Sequence, residues 1–158
     1  MTIWPKIPID PSAGWDMCFA CGKENPIGLK LKVKQDGDKV RAEFMPGKYH
    51  QGWWGIVHGG ILTTLLDEAM GYAALYQGLC CVTAQMQARL RRPAPIDEPI
   101  IIIGWVAKHT RKILETKATL SQKDGTLIAE ATATMFILGP MPTEPSDKKG
   151  KQEKNARK

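Results

Sequence analysis

His58-Gly59-Gly60-Ile61-Leu62-Thr63-Thr64-Leu65-Leu66-Asp67-Glu68-Ala69-Met70-Gly71 reads as a glycine pair opening a helix that is apolar on almost every face. Two adjacent carboxylates, Asp67 and Glu68, are the only charges between Gly59 and Gly78. A helix apolar all round is normally buried or wrapped by a sheet. Burying a carboxylate is costly and raises its pKa unless a partner compensates, so such a residue marks a working acid or base. Free N–H groups and the positive end of the helix dipole at Gly59-Gly60 suit an oxyanion. Acid and oxyanion site together point to acyl transfer or hydrolysis.

Outward from this helix the chain reads as strand. Upstream, Leu29-Lys30-Leu31-Lys32-Val33-Lys34 alternates strictly and predicts a half-exposed strand. Asp36-Gly37 is a hairpin signal before a second strand at Val40 to Met45. Downstream, Cys80 to Arg91, Pro99 to Val106 and the two runs flanking Asp124-Gly125 predict four consecutive strands. The helix is predicted from about Gly60 to Tyr76, with Gly78 ending it. One helix against an antiparallel sheet is an α+β layer architecture.

The 158 residues suffice for one domain. Residues 1–17 read as an irregular arm, 18–140 as the domain, and 141–158 as a disordered basic tail. That tail holds six Lys/Arg against three acids, half of the net charge of +6. Basic residues are not interleaved with aromatics, so nucleic acid is not expected as a partner. No apolar run spans a bilayer and no secretory signal pattern is visible, which predicts a cytoplasmic protein without membrane association. Reduced thiols follow for Cys18, Cys21, Cys80 and Cys81. One CxxC without a second pair predicts inert thiols and no metal site.

The chain resembles the hotdog-fold acyl-CoA thioesterases, in particular the branch typified by the phenylacetate-pathway thioesterase. The carriers are Cys18-Phe19-Ala20-Cys21-Gly22, Asn25-Pro26-x-Gly28-Leu29, and Gly55-Ile56-Val57-His58-Gly59-Gly60 with Asp67 nine positions after His58. Thr83, Arg91-Arg92-Pro93 and Asp124-Gly125 add to them. The resemblance implies a long central helix wrapped by a highly curved antiparallel sheet, and an acyl-CoA substrate with no cofactor beyond its coenzyme A. It makes Asp67 the general base or nucleophile and the Gly60 amide the polariser of the thioester carbonyl, with Gly59 and His58 beside it. It also implies that Thr83 orients the water and that Gln51 lies near the substrate.

Gly60 and Asp67 lie seven residues apart, so they share a helix face but are separated by about 10 Å along the axis. One helix cannot readily bring both to one carbonyl; two antiparallel helices across a two-fold axis can. A homodimer follows, alone or as half of a dimer of dimers, in agreement with the interfacial sites that the resemblance implies. For the phosphates of coenzyme A the candidates are Arg89, Arg91 and Arg92 at one strand end, and Lys108, His109, Arg111 and Lys112 at the next. Glu68, about 100° round the helix from Asp67, is expected to pair with a basic residue at an interface. Trp53 and Trp54 either line an acyl pocket or anchor their loop. Two other readings stay open: a hotdog dehydratase acting on hydroxyacyl thioesters, and a non-catalytic acyl-CoA binding module.

Overall fold

The computed structural model describes residues 9–142; the predicted disordered tail, from residue 143 on, lies outside them. Strands β1 (Lys34–Asp36) and β2 (Lys39–Phe44) precede helix α1 (Gly59–Leu75). Then follow β3 (Leu79–Leu90), β4 (Ile100–His109), β5 (Ile113–Ser121) and β6 (Leu127–Pro140). All pairings are antiparallel, in one six-stranded sheet of order β1-β2-β4-β5-β6-β3. Helix α1 packs on every strand from β2 to β3, so the sheet curls round it in the hotdog arrangement. Among the described residues, no helix is long and apolar enough to cross a membrane.

The core is the inner face of the sheet against one side of the helix. Leu62, Leu65, Leu66, Met70 and Ala74 meet Ile100, Ile102, Leu114, Leu120, Ile128 and Met135, all buried. Alternation makes this possible: β2 reads exposed–buried from Lys39 to Phe44, turning Val40, Ala42 and Phe44 inward. Where the Ala69 turn of the helix rests on β4 stands Gly104. A Cβ there would lie 2.5 Å from the Ala69 carbonyl oxygen. The missing side chain lets the helix backbone rest on the strand backbone.

The predicted strand at Leu29–Lys34 is a correction. Only Lys34–Asp36 joins the sheet, and the residues before it form no ladder strand. Leu29 and Leu31 are indeed buried and Lys30 exposed. Their amides instead donate to the carbonyls of Phe19 and Ala20, and Lys30 has φ 57°. The alternation arises from packing onto the preceding turn. There the Lys30 ammonium reaches the carbonyls of Gly22, Lys23 and Asn25. The arm upstream is irregular in its described part, with a single 3-10 turn at Pro11–Ala13 capped by Asp10.

Candidate active site

Helix α1 is delivered by a loop tied down on both sides. The amide of Val57 donates to Ala94, that of Ile96 to Gly55, and that of His58 to His50. Gln51 spends its side chain inside this loop. Its Oε1 accepts from the Gly55 amide at 2.6 Å and its Nε2 donates to the Lys48 carbonyl at 2.8 Å. It therefore shapes the loop rather than facing open space.

His58 caps the helix: its Nδ1 accepts the Gly60 N–H at 2.8 Å. An accepting Nδ1 places the ring proton on Nε2 in the neutral imidazole. The Gly60 amide is thus engaged within its own turn, whereas the Gly59 N–H has no hydrogen-bond partner among the described residues. Gly59 also lines an open groove of about 490 Å³ with Gly52, Trp53, Ile56, Val57 and His58.

Two turns further on, half-buried Asp67 faces β3. Thr83 donates its hydroxyl to Asp67 Oδ1 at 2.8 Å. A bulge aims that hydroxyl. Thr83 pairs with Met135 and Gln85 with Thr134, leaving Ala84 unpaired. Before the bulge the odd positions Cys81 and Thr83 point inward; after it the even positions Met86 and Ala88 do. At the far end of β3, Leu90 lies against the helix start, its Cδ1 3.0 Å from where a Gly59 side chain would begin.

Residues 55–129 match the family model described as thioesterase superfamily. The solved zebra fish thioesterase superfamily member 2 superposes with a TM-score of 0.64 and 31% identity, covering 70% of this chain and 82% of that one. The chain belongs to the thioesterase superfamily. Acyl-coenzyme A thioesterase THEM4 of Bos taurus is 28% identical over 139 residues, which is 86% of this chain but 57% of that protein. The chain thus spans little more than half the length of this curated relative. A hypothetical thioesterase from Streptococcus pneumoniae TIGR4, solved with coenzyme A, shares the fold at TM-score 0.67 and 24% identity, over 71% of this chain and 88% of that one.

On this thioesterase-superfamily scaffold the two basic clusters are far apart. Arg89 pairs across the sheet with Glu130, whereas His109 pairs with Leu114, which leads through Met135 to Thr83. Five residues of β6, from Glu130 to Met135, separate the two rows, about 17 Å. One chain therefore cannot hold one phosphate with both clusters. Arg91 is ion-paired with Glu130, whose carboxyl it holds below the usual range by hydrogen bonding. The Arg92 guanidinium donates to the Leu127 carbonyl at 3.4 Å.

Trp53 and Trp54 are 88% and 92% exposed, so neither anchors its loop. Glu68 lies beside the CxxC turn. No ion pair reaches it among the described residues; it faces Cys18, with Sγ 3.8 and 4.0 Å from its two carboxylate oxygens. Burial, and after the thiol of Cys21 the neighbouring Asp67, disturb its carboxyl, with a net rise above the usual range. The CxxC turn came up beside it, a neighbourhood no helical spacing reveals.

Proposed function

We propose that the chain is an acyl-coenzyme A thioesterase, hydrolysing the thioester to a free acid and coenzyme A. The observation that carries this is the Thr83–Asp67 hydrogen bond on the helix that begins His58-Gly59-Gly60. Thr83 holds one carboxylate oxygen of Asp67 and leaves the other to take a proton from water. At the helix start the Gly59 N–H is the open donor for the developing oxyanion, which moves the polarising role one residue from Gly60. His58 positions that start as its cap. The relatives' name and the coenzyme A held by the Streptococcus pneumoniae structure support the substrate class.

The working unit is a homodimer, alone or as half of a dimer of dimers, in the cytoplasm. Its seam is the outer edge of β3, twelve residues long and unpaired on that side among the described residues, together with the small-residue helix stripe of Gly60, Thr64, Asp67 and Gly71. A long open edge of this kind calls for a partner. Sedimentation velocity is expected to give a dimer at assay concentration; an active monomer would sink the two-chain site.

The phosphates of coenzyme A fall to Arg89 and Arg92, because their strand end adjoins the helix start through Leu90. Arg92→Ala is expected to raise KM roughly tenfold with kcat little changed, the loss of one charge-assisted contact. The same effect from Arg111→Ala instead would transfer the role to the other cluster. A thiol-release screen over aromatic, short and medium acyl-CoA esters tests the reaction itself. Water loss from a 3-hydroxyacyl ester without thiol release would make the chain a dehydratase.

A further inference from the structure

All four cysteines line one groove of about 270 Å³ between residues 9–15, α1 and the start of β3. Within it Cys18, Cys21 and Glu68 bring two sulfurs and a carboxylate oxygen within 4.8 Å of one another. A tetrahedral zinc with its ordinary bonds to sulfur and oxygen spaces those ligands about 3.6 Å apart. Cys18 Sγ and Glu68 Oε1 stand at 3.8 Å. Small side-chain rotations close the set.

The turn is built to hold the sulfurs there. The Gly22 amide donates to the Cys18 carbonyl at 2.9 Å. A Cβ at Gly22 would lie 2.4 to 2.5 Å from backbone atoms of Asp16 and Cys18. Only glycine fits after the second cysteine in so tight a coil. Lys30 collects the carbonyls of Gly22, Lys23 and Asn25 from below, and Asn25 Nδ2 donates to Met17. The thiols are therefore presented by a braced turn, against a helical carboxylate that has no basic partner among the described residues.

We propose that Cys18, Cys21 and Glu68 bind a zinc ion that ties this turn to helix α1 and leaves a fourth position open to the groove. Two thiolates select zinc over magnesium or calcium, which prefer all-oxygen sites. Two thiolates and a carboxylate carry three negative charges, of which the ion offsets two. Each thiol proton is released to solvent on binding. Because each thiol must lose its proton to bind, uptake strengthens as pH rises. The ion would fix the helical turn that also carries Asp67, a positioning role outside the hydrolytic step.

The test is a competition titration of the full chain, reduced and stripped by chelator, with Zn²⁺ against a chromophoric zinc chelator. One ion per chain with Kd below about 1 μM is expected. Co²⁺ in its place should give a thiolate-to-cobalt charge-transfer band. Cys21→Ser and Glu68→Gln should each weaken binding more than about tenfold. Cys80→Ser and Cys81→Ser should leave it unchanged. No saturable uptake by the parent chain, or uptake indifferent to Glu68→Gln, overturns the site. The parent titration decides the matter even where a variant fails to fold.

Discussion

Asp67→Asn is expected to lower kcat by about 10²–10⁴-fold with KM nearly unchanged, the range for losing a general base. The amide keeps the shape of the carboxylate and still accepts from the Thr83 hydroxyl, which stands 2.8 Å from Oδ1. What it loses is the ability to take a proton or to attack. Thr83→Val should cost less, about 10-fold to 100-fold, since one hydrogen bond to a charged group is removed and the base remains. Thiol release measured over substrate concentration separates the two. Full activity of Asp67→Asn would put the chemistry elsewhere. In single turnover in ¹⁸O water, label carried by the enzyme into its own carboxylate would mark a nucleophile rather than a base.

Gly104→Ala is the largest expected loss of stability, about 1–3 kcal/mol and toward the upper end. Its new Cβ meets the Ala69 carbonyl oxygen at 2.5 Å and the carbonyl carbon at 2.8 Å, both backbone atoms that cannot rotate away. The helix must lift off β4, loosening Leu66 and Met70 against the sheet. For a chain of this size each kcal/mol lowers Tm by about 2–4 °C. Gly47→Ala is the control: nothing lies within 4 Å of its would-be Cβ and its φ is −123°. That variant should stay within about 0.5 kcal/mol of the parent. Scans at fixed protein concentration check both, and an unaltered Tm for Gly104→Ala would contradict the close approach.

The helix and five strands were legible because burial imposes their periods directly. Leu62, Leu65, Leu66, Ala69 and Met70 follow the helical period, and Val40, Ala42 and Phe44 the strand period. Asp67 stood out as a charge in an apolar run. Leu29–Val33 misled because a buried–exposed alternation needs only a surface to pack on, here the Phe19–Ala20 turn, and no ladder. Glu68 and Cys18 lie fifty residues apart in the sequence, so no local pattern joins them. The engagement of the Gly60 amide was hidden for a different reason: whether a histidine before a helix caps it depends on a side-chain torsion, which sequence does not encode.

The unpaired Ala84 has a consequence for how relatives of this chain are compared. Deleting it would leave Thr83, Gln85 and Met86 in plain alternation opposite Met135, Thr134 and Ala133, whereas drawing it into the ladder as a paired residue would turn Thr83 away from Asp67 or Met86 out of the core. Placement of the hydroxyl is thus a matter of residue count as much as residue type. In a chain without the extra residue, the hydroxyl serving the helical carboxylate would stand one column away in an ungapped alignment. A search for Thr at the Thr83 column alone would pass over it.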